Sequence, residues 1–111
     1  MYLFVEIWKP KASWLALTAA ERGAYFEPLG PVIQGMVNDG LDIIGWGIND
    51  ADTPNNGSFT YFAAYRIPTL ALVKQFEATV EGSGWYNYFE QVNARGLLMG
   101  PPDVLQHLAM V

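Results

Sequence analysis

The sequence predicts an α+β fold in the order β-α-β-β-α-β, a four-stranded antiparallel sheet with its helices on one face. Three observations carry this expectation. Four short stretches rich in β-branched and aromatic residues flank two stretches of helical period. Each helical stretch opens at a threonine and closes at a glycine. The chain of 111 residues is 51% hydrophobic and 15% charged, enough for one core without disulfide staples.

Each element has a local reason. From Tyr2 to Trp8, aliphatic Leu3, Val5 and Ile7 alternate with Tyr2, Phe4, Glu6 and Trp8, the period of a strand, and Pro10 ends it. Ser13 to Leu17 suits one helical turn. Thr18-Ala19-Ala20-Glu21 is a capping box: the hydroxyl accepts from the third amide and the carboxylate reaches back. Phe26, Leu29, Ile33 and Met36 or Val37 then recur at helical spacing. Pro28 and Pro31 interrupt that run, each costing on the order of 3 kcal/mol inside a helix, so a break is expected near Leu29–Pro31. Asn38-Asp39-Gly40 stops the helix.

Leu41 to Asn49 reads as the second strand, 49–58 as a polar connection and Phe59 to Ile67 as the third strand. Pro68-Thr69 opens a helix to about Glu81 with Val73, Phe76 and Val80 on one face, and Gly82-Ser83-Gly84 closes it. Tyr86 to Arg95 reads as the fourth strand, broken by Gly96, and Val104 to Met110 as a short terminal helix. The expected organisation is one domain over 1–111, with an extension from about residue 97. This order is the split βαβ, ferredoxin-like pattern, with the first and third strands central.

Composition excludes several chemistries. With no cysteine there is no disulfide, thiol nucleophile or thiolate metal site, and one histidine rules out a multi-histidine centre. The net charge of −5, without a basic run, argues against nucleic acid. No stretch approaches the roughly 20 apolar residues of a membrane span, and Glu6 and Lys9 interrupt the first apolar run, so a cytoplasmic protein is expected. Asp50 and Asp52 lack the spacing of a calcium loop, and no phosphate-binding glycine loop or nucleophile elbow is present.

The sheet face away from the helices must be covered. Phe4, Trp8, Trp46, Tyr61 and Tyr65 are expected on it, too apolar a set to stay wet, and two copies packed sheet to sheet would bury it. Tyr2-Leu3-Phe4-Val5-Glu6 and Pro68…Phe76-Glu77…Gly84-Trp85 stand within this framework. In element order, length, aromatic face and these stretches, the chain resembles the dimeric α+β barrel superfamily. The resemblance implies a homodimer forming an α+β barrel, with a pocket between helices and sheet or within the barrel. It includes cofactor-independent quinone-forming monooxygenases, heme-degrading monooxygenases, polyketide cyclases, lactone isomerases, hydroxynitrile lyases and proteins without known activity. Heme-degrading relatives use a histidine on the second helix; Thr69 to Glu81 has none, so no cofactor is expected.

Glu6 is the outstanding candidate for chemistry. A carboxylate in an apolar strand face works as a general acid or base, pairs with Arg66, Arg95 or a lysine of a second copy, or reaches solvent at a barrel mouth. Trp8 and Trp46, the latter between Gly45 and Gly47, offer flat walls for an aromatic ligand or simply pack in a core. The hydroxyls of Tyr61 and Tyr65 can donate to a carbonyl or oxyanion. Gln91, Asn93 and Arg95 share one face of the fourth strand, with Val92 and Ala94 expected toward the helices; Asn93 suits a carbonyl and Arg95 a carboxylate or enolate. His107 is the alternative base, in the terminal helix.

These parts suit a small cofactor-free enzyme acting on an apolar aromatic or enolisable molecule, most simply as a monooxygenase. A cyclase, isomerase or lyase, or a non-enzymatic small-molecule-binding dimer, would use the same residues.

Overall fold

A computed structural model describes residues 1–111. The elements are β1 (Tyr2–Pro10), α1 (Ala12–Leu15), α2 (Ala19–Phe26), α3 (Leu29–Asn38), β2 (Asp42–Ile48), β3 (Tyr61–Ile67), α4 (Leu70–Gly82), α5 (Trp85–Tyr88), β4 (Phe89–Leu97) and α6 (Pro101–Ala109). The strands form one antiparallel sheet in the order β2-β3-β1-β4, so the first and third strands are central as expected.

The helix ends follow their local chemistry. Thr18 and Glu21 close the capping box from both sides, at 3.1 and 2.9 Å. The break falls between α2 and α3 at Glu27–Pro28, two residues earlier than expected. Pro28 cannot donate to the preceding turn, whereas Pro31 stands in the first turn of α3, where amides have no helical partner. At the end of α3, Gly40 takes φ 113° and the Leu41 amide bonds back to Met36 at 3.0 Å. A side chain at 40 would also crowd the Pro68 ring.

The fourth strand begins at Phe89, later than its sequence suggests. Gly84, at φ 80°, starts a helical turn that sets Trp85 and Phe89 four residues apart with ring centroids 4.2 Å apart. Gly96 lies inside the strand, paired with Leu3, and does not end it. The last helix begins at Pro101, because two prolines fit its first turn.

The two sheet faces are reversed relative to the expectation. Phe4, Glu6, Trp8, Ala63, Tyr65 and Ile67 are buried beneath the helices; Phe4 and Tyr65 both pack on Phe76 of α4, at 5.0 and 4.9 Å between ring centroids. Gln91, Asn93 and Arg95 lie opposite Trp8, Glu6 and Phe4 and share that helix-side face. Leu3, Val5, Ile7, Phe62, Ala64, Val92 and Ala94 form the open face instead. Alternation shows which residues share a face, not which face receives the helices. Both sets here are apolar; the bulky rings of Phe4, Trp8 and Tyr65 pack beneath the helices, while smaller side chains dominate the open face.

Candidate functional site

The helix-side face ends in a cavity. Glu6 from β1, Tyr65 from β3 and Trp46 from β2 form its floor. Leu29, Ile33 and Met36 of α3 stand on one side, Phe76, Thr79 and Val80 of α4 on the other, and Trp85 closes one end. The enclosed volume is about 60 Å³, room for a few water molecules or a small apolar group. Through Leu29, Val32, Thr79 and Ser83 it continues into an outer groove lined also by Ala24, Tyr25 and Pro28. The Tyr25 hydroxyl donates to the Ser83 carbonyl at 3.1 Å and so ties α2 to the end of α4 beside this mouth.

Glu6 is the one buried charged residue, 4% exposed. The Gln91 amide donates to its Oε2 at 2.7 Å, and the same amide nitrogen lies 2.7 Å from Asn93 Oδ1. The indole Nε1 of Trp85 donates to Gln91 Oε1 at 2.7 Å, which fixes the orientation of the Gln91 amide. Asn93 in turn donates to the Tyr86 hydroxyl at 3.2 Å. No buried side-chain nitrogen or oxygen lacks a partner.

No lysine or arginine pairs with Glu6. The three ion pairs are Lys9–Glu90, Arg66–Asp42 and Arg95–Glu77. Burial therefore raises the Glu6 carboxyl above its ordinary 4.5, and donation from Tyr65 and Gln91 only partly opposes that rise. Burial, and then the Glu6 charge, push Tyr65 upward as well, while Trp46 partly relieves it. Tyr65 thus stays a neutral donor, and Glu6 is the group at the cavity floor that changes protonation state.

Glu6, Trp46 and Tyr65 of the expected site residues line the cavity. Gln91 stands directly behind them, and Trp8 packs edge-on against Trp46 and Trp85 at 4.9 and 5.8 Å. Phe4 is core under Phe76, and Tyr61 stacks on Trp8 at 5.9 Å, outside the cavity. Asn93 reaches the site only through Gln91. Arg95 is occupied by Glu77 at 3.0 Å. His107 lies in exposed α6 and is not among the lining residues. Trp85 and the α3 and α4 side chains were not anticipated as site residues. The Trp85–Phe89 spacing of four is the one sequence signal that points to a helical turn there.

A heme does not fit these residues. α4 contains no histidine, His107 is remote, and the cavity is too small for the macrocycle. No three His, Asp or Glu side chains converge in a manner that would hold a metal ion. No helix is long and apolar enough to cross a membrane.

An open four-stranded antiparallel sheet with helices on one face is a ferredoxin-like fold. Within that class, the chain belongs to the family of unknown function DUF6616, which matches over residues 1–111. No curated protein matches it in sequence. Among solved structures, it is similar to At3g17210 of Arabidopsis thaliana (TM-score 0.61, 8% identity, covering 90% of this chain and 97% of that one). It is also similar to a chlorite dismutase of Candidatus Nitrospira defluvii (TM-score 0.69, 12% identity), spanning 90% of itself but 40% of that chain. A dabb family protein of Mesorhizobium loti with a ferredoxin-like fold matches at TM-score 0.50 and 8% identity, over 89% of this chain and 97% of its own. At these identities the likeness is one of fold.

Proposed function

We propose that the chain is a small-molecule enzyme whose chemistry begins with proton removal by Glu6 from a neutral, apolar, enolisable or phenolic substrate. One observation carries this reading: a carboxylate 4% exposed, without a cationic partner, forms the floor of an otherwise apolar cavity. Such a group is a strong base once desolvated, and it favours a neutral substrate over an anionic one. Arg95, paired with Glu77 at 3.0 Å and outside the cavity lining, has no part in this reading.

The arrangement of the cavity supports the following order of events. A flat substrate lies in the groove beside Tyr25 and inserts only its reacting edge into the cavity, against Trp46. Glu6 takes its proton and becomes neutral, the form burial favours. Its negative charge no longer holds the Tyr65 hydroxyl, which turns to the oxygen of the new anion together with the Trp46 indole N–H. In the monooxygenase version the carbanion reacts with dioxygen at a ring CH₂. One oxygen atom becomes the quinone carbonyl, and the other leaves as water with the two hydrogens. An isomerase or lyase would share the first step and differ in the fate of the anion.

The reading includes a homodimer that covers the open face, and a cytoplasmic location compatible with a chain free of cysteine. Oxygen uptake with anthrones tests it. We expect uptake above the spontaneous rate in the wild type and a loss of on the order of 10²-fold or more in Glu6→Gln. Ligand-induced tryptophan quenching without turnover would instead favour the non-enzymatic binding protein.

A further inference from the structure

α6 has no buried residue, although Val104, Leu105 and Leu108 form an apolar stripe at steps of one and three. Leu97, Leu98 and Met99 before it are half to three-fifths exposed. The radius of gyration is 15.9 Å, against about 13 Å for a compact chain of this length, so this arm stands off the body. A nine-residue helix is marginal in water by itself, since isolated helices below roughly 12–15 residues rarely persist. It needs a surface to pack on.

The open sheet face has the complementary need. Leu3, Val5, Ile7, Phe62, Ala64 and Val92 form an apolar field. The exposed ion pairs Lys9–Glu90 and Arg66–Asp42 border it at opposite ends. A rimmed apolar field of this kind marks an association surface. Its size sets a further condition. Four strands about 4.8 Å apart and seven residues long, at ~3.3 Å per residue, cover on the order of 450 Å² per copy. Two such faces bury about 900 Å², short of the roughly 1,200–2,000 Å² of a stable interface. Val104, Leu105 and Leu108 of the two arms, on the order of 100 Å² apiece, raise the total to about 1,500 Å², inside that range.

We propose that α6 is a clasp: in a sheet-to-sheet dimer, the arm of each copy lays Val104, Leu105 and Leu108 against the other copy beside its open face. This rests on the homodimer reading above. Gly100 and the Pro101-Pro102 pair make a stiff elbow that aims the helix, and two-fold symmetry makes the exchange reciprocal.

The test is the dissociation constant of the full chain, measured by sedimentation over a dilution series. The wild type is compared with Leu105→Glu/Leu108→Glu and with Gln106→Glu, which adds the same sign of charge on the polar side. The clasp predicts a wild-type dimer of twice 12.3 kDa, at least tenfold weaker dimerisation in the double variant, and little change in Gln106→Glu. A dimer equally tight in all three overturns the clasp and leaves the sheet-to-sheet dimer intact. A wild-type monomer at every concentration overturns both, and co-sedimentation of that monomer with anionic vesicles would assign the arm to a membrane surface. If the double variant misfolds, amide exchange in the wild type decides. Protection of 104–109 in the dimer that vanishes on dilution supports the clasp, and exchange at free-peptide rates within the dimer refutes it.

Discussion

The Gln91 side chain bridges two buried groups, donating to Glu6 Oε2 at 2.7 Å while accepting from the Trp85 indole at 2.7 Å. The glutamine therefore holds the base of the cavity to its end wall. Its amide cannot flip without facing a donor with a donor and the carboxylate with a carbonyl.

Gln91→Ala should consequently do two things. It removes one of the two donors that oppose the burial of Glu6, so the Glu6 carboxyl rises further. It also strands the Trp85 N–H, for a loss of about 1–3 kcal/mol in stability. Urea denaturation checks the second effect. A carboxyl titration followed by infrared difference spectroscopy checks the first, with an upward displacement of the Glu6 transition expected.

The stability of the protein should carry the mark of Glu6. Its folded carboxyl titrates above the ordinary 4.5. Between that value and the raised one, the unfolded chain has lost a proton that the folded chain still holds. Raising the pH through this window therefore favours unfolding, and the loss is complete above the raised value. Glu21 acts in the opposite direction: its capping-box bonds lower its carboxyl, so its contribution fades as the pH falls. The difference between wild type and Glu6→Gln isolates the first effect. Glu6→Gln should be the more stable protein at neutral pH, with an advantage that vanishes toward pH 4 in melts across the range.

The open face has its own sensitive point at Gly47, which pairs with Phe62 and lies under its ring. A methyl group there would overlap the ring unless the ring swings away. Gly47→Ala should cost about 1–3 kcal/mol, and a Phe62→Ala change in the same chain should recover part of that cost. A double-mutant cycle by thermal melts measures the coupling.

Much of this architecture is legible in the sequence where a pattern is local. The alternation of Tyr2–Trp8 and of Gln91, Asn93 and Arg95 reveals the shared faces, and Thr18–Glu21 announces a helix start. Glu6 stands out because a carboxylate interrupts an apolar alternation. The side of the sheet that receives the helices depends on tertiary packing, and here both sides are apolar enough to be buried. Trp85 to Phe89 is an aromatic run with strand propensity, yet stacking of its two end rings favours a helical turn. Met36 and Val80 read as ordinary core positions; the tertiary arrangement of α3, α4 and the sheet makes them cavity wall. Arg95 shows the consequence of the reversal: on the helix side of the sheet, its charge is taken by a helix carboxylate, Glu77.

Proton removal by Glu6 from a neutral ligand in this cavity is measurable as anaerobic deuterium exchange. Anthrone-type ligands in D₂O would be followed by proton NMR with wild type and Glu6→Gln, while tryptophan fluorescence confirms that both bind. Exchange should run above the spontaneous rate in the wild type and fall by on the order of 10²-fold or more in Glu6→Gln at comparable affinity. Equal exchange rates in the two proteins would contradict it.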